Sequence, residues 1–278
     1  MTDTIQITVL MDNQVHRQGL VAEHGLALHV ARGSHSILFD AGQTDLVLHN
    51  ARRLGLALNR LDAIVLSHGH YDHSGALSEL CKQANNARIF LHPKALCPRF
   101  SAKTDGPLRS IGLSPASIEA IETARDRVVF TPQPVAIEEG IRVTGTIPRV
   151  TPSEDPGGRF FLDPEGRQPD LVEDDQALFF DTPDGVVVLL GCAHAGAVNT
   201  LLHIEQLTAG RPLVAILGGL HLLHASGNRL ESTLQALQAR NPRLVVALHC
   251  TGWQAMMRLQ QAFPERFAVG SVGSRFAL

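Results

Sequence analysis

The sequence is short of three things, and each shortage removes a class of function. Lys and Arg number 24 against 27 Asp and Glu, a formal charge of −3, so no basic excess exists to follow a phosphate backbone, and no nucleic-acid partner is expected. Cysteines number four. Cys81, Cys97, Cys192 and Cys250 form no C-x-x-C pair and no dense framework, which suits a reducing compartment and argues against a disulfide scaffold. Long apolar runs are missing too. None approaches the length of a membrane span, and the opening Met1-Thr2-Asp3-Thr4-Ile5 has neither the basic nor the apolar region of an export signal. What remains is the expectation of a soluble cytoplasmic protein with a small-molecule substrate and no membrane partner. Nothing in the pattern sets an oligomeric state. The 44% hydrophobic content is ample for a core over 278 residues, and a single domain spanning 1–278 is expected.

What the sequence has is histidine, concentrated in one place. Ser67-His68-Gly69-His70-Tyr71-Asp72-His73-Ser74-Gly75 follows the apolar run 62–66, which reads as a short buried strand, and precedes 75–80, which reads as the opening of a helix. Three imidazoles and a carboxylate within six residues are the ligand types that suit zinc and other first-row divalent ions. In a tight turn His68 and His70 can point one way while Asp72 and His73 point another, which favours two adjacent positions. The expected cofactor is one or two divalent transition metals, zinc first, with manganese or iron as alternatives. A His-rich surface loop or a closed structural ion is the plainer reading, but structural zinc sites usually close with cysteine.

Around this motif the chain alternates strands and helices. Residues 4–11 read as a strand and 26–31 with 36–40 as a hairpin. Thr44 is the expected N-cap of a helix through residue 53, closed by Gly55. Residues 76–83 read as helix and 88–91 as a strand ending at His92, which is taken mainly as a structural hydrogen-bonder. His24, His29 and His35 have no defensible ligand spacing and are read as ordinary histidines. The basic residues Lys94, Arg99, Lys103 and Arg109 suggest a loop or short helices near the site mouth, with a solvated face as the plainer alternative. Ser114 and Pro115 open a helix to residue 123, and strands follow near 128–131, 135–137 and 141–146. Residues 147–173 carry five prolines and three glycines, too much punctuation for a regular element, and are expected to form a substrate loop.

A second hairpin, 176–181 with 186–190, leads into a unit repeated three times: strand, His-bearing loop, helix. The histidines are His194, His221 and His249. Loops leaving adjacent strand ends can converge, so these three are candidates to complete the cluster begun at residue 68.

The H-x-H-x-D-H motif after a hydrophobic strand resembles the signature of the metallo-β-lactamase-fold hydrolases. Asp40-Ala41-Gly42, Thr144-Gly145-Thr146, Asp174-Asp175-Gln176, Gly191-Cys192-Ala193-His194, Gly218-Gly219-Leu220-His221 and Leu248-His249-Cys250 are similar to one branch of that superfamily, typified by 7,8-dihydropterin-6-methyl-4-(β-D-ribofuranosyl)-aminobenzene-5′-phosphate synthase. The resemblance runs from about residue 5 to 272 and implies an α/β fold, a four-layer αβ/βα sandwich of two mixed sheets with helices outside and metals at one edge. It implies a first metal site of His68, His70 and His194 and a second of Asp72, His73 and His249. Where the superfamily often supplies a bridging Asp, this chain has Cys192, which leaves three outcomes open: a weakly bound second metal, Cys192 as a soft ligand, or water alone as the bridge. In the chemistry so implied, Asp72 orients the attacking hydroxide or takes its proton. His221, if unligated, donates to the leaving oxygen, and Arg149 with the basic residues of 94–109 holds an anionic group. The leading expectation is a hydrolase of a small anionic ester or phosphate; a pyrophosphate-releasing transferase and a metal-bearing binding protein without turnover are the alternatives.

Overall fold

The structure is a computed structural model that describes residues 4–101 and 107–278. Two seven-stranded sheets are built to one plan. In the first, the order is Arg275–Ala277, Ile5–Met11, Ala27–Arg32, His35–Phe39, Ala63–Val65, Arg88–Leu91 and Val128–Phe130. Its first four strands pair antiparallel and the rest parallel. In the second, Val135–Glu138, Ile141–Val143, Leu178–Thr182 and Gly185–Leu190 pair antiparallel. Leu213–Gly218, Leu244–Ala247 and Phe267–Val269 then continue it in parallel. Each sheet thus begins as hairpins, which short turns can connect, and ends as parallel strands, which need helical crossovers.

Period-two alternation makes both faces of each sheet apolar. In the first sheet Ile37, Phe39, Ala63 and Val65 face the second sheet, where Leu178, Phe180, Val187 and Leu189 meet them in one buried cluster. The intervening Leu38 and Ile64 face outward onto Val47, Ala51 and Leu54, which share one face of the helix Leu46–Leu54, and onto Leu77 and Leu80. On the far side Val186, Val188 and Leu190 pack against Ala197, Leu201 and Ile204 of the helix Ala197–Leu207 and against Leu234, Leu237 and Leu259. Strands buried on both faces explain why the runs 185–190 and 213–218 are continuously hydrophobic rather than alternating. Helix, sheet, sheet, helix is the layered sandwich expected.

Several local expectations are corrected. The first helix starts at Leu46, with Asp45 at the cap position and no side-chain cap bond. Thr44 instead donates its hydroxyl to Glu23 Oε2 at 2.6 Å, because Glu23 also gathers the backbone N–H groups of Gln43 and Thr44. A short helix, Tyr71–Ser74, forms within the histidine motif itself and a second, Leu77–Gln83, follows it, instead of one helix opening at Gly75. The edge strands Phe267–Val269 and Arg275–Ala277, and a small sheet of Phe160–Phe161, Phe100–Ser101 and Arg109–Ser110, were too short to show in the sequence. Ser114 caps its helix as expected, accepting from Ser117 N with Pro115 at the first position. No described helix is long and apolar enough to cross a membrane.

Candidate metal centre

The carboxyl ends of strands from both sheets meet at one edge. From the first sheet come Asp12 and Asn13 after Ile5–Met11, Asp40 after His35–Phe39, and His68 to His73 after Ala63–Val65. The second sheet adds Cys192 and His194 after Gly185–Leu190, His221 after Leu213–Gly218, and His249 after Leu244–Ala247. Three of these residues, Asp40, His221 and His249, have left-handed backbones with φ of 62°, 48° and 49°. Non-glycine residues hold that conformation only where their surroundings over-determine it, and such residues cluster at functional sites.

The structure brings together all six residues named as ligands. The rings of His68, His70 and His194 lie mutually in contact, with centroids 4.5, 4.7 and 4.9 Å apart. Asp72 Oδ2 lies 3.4 Å from His249 Nε2 and 4.0 Å from His73 Nε2. Between the two groups stands Cys192. Its sulfur belongs with His68 and His194 in one set of donors and with His73 and His249 in another, all members of each set lying within 4.8 Å of one another. It is 3.1 Å from His73 Nε2. The thiol therefore occupies the shared position where the resemblance led one to look for a carboxylate. The approach is close: a Cβ on the preceding Gly191 would lie 2.0 Å from Ser67 Oγ, so only glycine fits there.

The donor set fits a cation because the outer nitrogen of four of the five rings is already committed, while in the fifth His70 Nδ1 bonds His68 Nε2 at 2.9 Å. His194 Nδ1 donates to Pro156 O at 2.6 Å, His249 Nδ1 to Asn13 Oδ1 at 2.8 Å and His73 Nδ1 to Asp40 Oδ2 at 2.7 Å. Ser67 gives its own proton to Asp40 at 2.7 Å, so its oxygen accepts from His68 Nδ1 at 2.9 Å. In the neutral ring each such bond fixes the tautomer and turns Nε2 inward as a lone pair, the arrangement of metal-ligating histidines. The inward nitrogens of His70, His194 and His249 are buried with no hydrogen-bond partner among the described residues. Native interiors rarely leave polar atoms in that state.

Electrostatics support the same reading. Burial, reinforced by neighbouring imidazoles, holds His68 and His194 well below the ordinary histidine range, and burial lowers His70 likewise. The neutral imidazole is the form that binds metal. Burial opposes charge on Asp72, but the neighbouring imidazoles of His73, His24 and His249 outweigh it and hold the carboxyl well below its usual range. Burial likewise opposes a proton on His73, yet the carboxylates of Asp40 and Asp72 push it up to about 9. A proton and a divalent cation thus compete for His73 Nε2.

Other expectations are redistributed. Arg149 is not turned to the cleft. Its guanidinium donates to His194 O at 2.8 Å and to the carbonyls of Leu171 and Val172. Arg99 is buried between Asp170 and Asp174, and Lys94 pairs with Glu173. Lys103 lies outside the described residues. Of the described ones, Arg109 lines the cleft, and its side chain has no hydrogen-bond or ion-pair partner among the described residues. The segment 147–173 is less a lid than a brace. Buried Arg229 ties it down through Glu154 and Asp155, Asn199 accepts from Val150 N and Thr151 N, and its carbonyls at Pro156 and Gly157 hold His194 and His221. Only Phe160 of this segment enters the cleft, where it touches the rings of His70 and His194.

His221 lines the cleft, but its Nε2 proton is given to Gly157 O at 3.2 Å. His92 bonds Thr146 and caps the turn after its strand, as a structural histidine. His24 was missed: it is half exposed, with Nε2 3.0 Å from Asp72 Oδ2. Asp12 and Asn13, directly after the first strand, were not singled out in the sequence as site residues, yet they fix the backbone N–H and the ring of His249. A polar pair directly at a strand end was the available signal.

The remaining cleft is roughly 370 Å³, walled by Tyr71, Phe160, Ile111 and Leu223 with Arg109 at its side. A sequence profile of the metallo-β-lactamase superfamily matches residues 23–249. A curated relative from Methanocaldococcus jannaschii, 7,8-dihydropterin-6-methyl-4-(β-D-ribofuranosyl)-aminobenzene-5′-phosphate synthase, is 29% identical and aligns over 95% of this chain and 94% of its own. Tm1679, a solved metal-dependent hydrolase of the β-lactamase superfamily, superposes with a TM-score of 0.83 at 30% identity over 99% of both chains. YhfI of Bacillus subtilis shares the fold, with a TM-score of 0.59 at 13% identity over 99% of this chain and 100% of its own. Profile, fold and ligand motif agree: the chain belongs to the metallo-β-lactamase superfamily.

Proposed function

We propose that this protein is a zinc-dependent hydrolase of a small anionic ester or phosphate. The observation that carries this reading is the set of inward imidazole nitrogens, several buried without partners, beside a carboxylate and an open cleft. His68, His70 and His194 would hold one ion and Asp72, His73 and His249 a second, with Cys192 between them. When bound, such ions supply Lewis acidity and bring a water near neutrality in pKa. The chain's own groups do the rest. Asp72, an anion at working pH, takes and positions the proton of the attacking water, and His24 links that carboxylate to solvent. Tyr71 and Phe160 wall the cleft and limit bulk water. Arg109 offers a planar fork to an anionic group.

Chelator-treated protein should lose hydrolysis of whichever phosphodiester, lactone or thioester it accepts, and added zinc should restore it. Full activity in metal-free protein would overturn the proposal. A transferase is the second reading, favoured by the near full-length match to the synthase. It would show as pyrophosphate release that requires two substrates, with no single-substrate hydrolysis. Metal uptake without turnover in either assay would leave a binding protein.

Arg109→Ala should raise KM for an anionic substrate about tenfold or more, as expected for loss of a charge-assisted contact, while metal content and melting temperature stay near the parent's. Steady-state kinetics on charged and neutral substrate analogues check this, since a structural role would not distinguish them.

A further inference from the structure

Next to the histidine centre, a second group of donors closes on itself where Leu213–Gly218 and Leu244–Ala247 end. The sulfurs of Cys192 and Cys250 and a ring nitrogen of His221 all lie within 4.8 Å of one another. Both thiols are buried, at 3% and 8% exposure, while Cys250 and His221 reach the cleft wall. His221 gives its Nε2 proton to Gly157 O, which leaves Nδ1 as a lone pair, and that nitrogen is buried with no hydrogen-bond partner among the described residues. The ring is committed on one side and presented on the other, as the histidines of the main centre are. Its backbone is held at φ 48° to do so.

We propose that Cys192, His221 and Cys250 form a further metal position, thiolate-rich and selective for zinc or softer ions, which shares Cys192 with the histidine centre. Two thiolates and one imidazole make a set of three protein ligands that leaves a fourth position open, here on the cleft side. Softer donors favour borderline and soft ions over magnesium, calcium or manganese. A buried cysteine is more often a small apolar side chain, but that role does not account for two sulfurs and an imidazole nitrogen converging within 4.8 Å of one another. On uptake of the ion both S–H bonds break and two sulfur–metal bonds form. His221 Nδ1 contributes its lone pair, and the two protons leave to solvent. This position rests on the proposed histidine centre only through the shared Cys192, and His221 here acts as a ligand instead of the leaving-group acid.

The test is a cobalt(II) titration of chelator-stripped full-length protein, following visible d–d bands from all sites and near-ultraviolet thiolate-to-cobalt charge transfer. The parent should show both, and Cys250→Ser should lose roughly a third or more of the near-ultraviolet intensity, one of at least three sulfur–cobalt bonds when Cys192 is shared, while the visible bands of the histidine centre persist. An unchanged near-ultraviolet band in Cys250→Ser would overturn this site, since Cys192 alone would then supply the sulfur. Visible bands with no near-ultraviolet band would overturn it while leaving the histidine centre standing. No cobalt bands at all would overturn both. Cadmium NMR of the parent gives a result independent of any variant's folding: a resonance in the two-sulfur range is expected, and its absence would count against the proposal.

Discussion

Arg229→Ala is expected to lower stability by roughly 3–5 kcal/mol, the usual cost of breaking a buried ion pair from one side. Arg229 and Glu154 are each only 1% exposed, and Nε lies 3.0 Å from the Glu154 carboxylate. Removing the guanidinium leaves that carboxylate buried with one backbone donor, Val198 N. The same arginine reaches Asp155 at 2.8 Å, directly before the proline whose carbonyl holds His194. The variant should therefore melt on the order of 10 °C lower, and chelator should strip its metal at lower concentration than the parent requires. Scanning calorimetry and a chelator titration measure the two effects. A double replacement with apolar residues, Arg229→Met with Glu154→Leu, should recover most of the stability, because the penalty comes from the stranded charge. If the double variant melts as low as the single one, the pair is not the source of the loss.

His194→Ala carries the largest expected effect on activity, a loss of at least about a thousandfold, as for a residue that acts as one unit with its neighbours. His194 touches the rings of His68, His70 and His221 at centroid distances of 4.4 to 4.9 Å. Elemental analysis should find one ion fewer per chain. The fold should survive, since the sheets hold their own apolar clusters between and outside them. Retained activity at full metal loss would remove the basis of the proposed chemistry. A collapsed fold with metal retained would make His194 a packing residue.

These predictions draw on features of unequal legibility. The His68 to His73 motif was readable because its ligands are neighbours in sequence, and one strand-to-loop transition presents them together. The hairpins at 27–39 and 178–190 were readable from period two. His194 and His249 were readable as histidines at strand ends. His24 was not, because its role arises from a contact with Asp72 across 48 residues of chain that no local spacing encodes. Arg149 and Arg109 could not be ranked either. Both are arginines in irregular segments, and only the path of the backbone decides which finds carbonyls and which finds the cleft. Asp12 and Asn13 show the same limit: the residue types that end a strand also make good ring-orienting acceptors.

The bonds from the segment 147–173 to His194 and His221 come from main-chain carbonyls, not side chains. A side-chain partner can be lost in one substitution, whereas a carbonyl is present whatever residue stands there. At the positions that present these carbonyls the constraint therefore falls on conformation, whereas Glu154 and Phe160 of the same stretch are constrained through their side chains. Gly157 is the exception that gives this a sharp edge. Its φ is +80°, and a Cβ there would lie 1.9 Å from the His221 ring. Of the two residues that present these carbonyls, Pro156 and Gly157, the glycine is the one where even the smallest side chain would displace the histidine it holds.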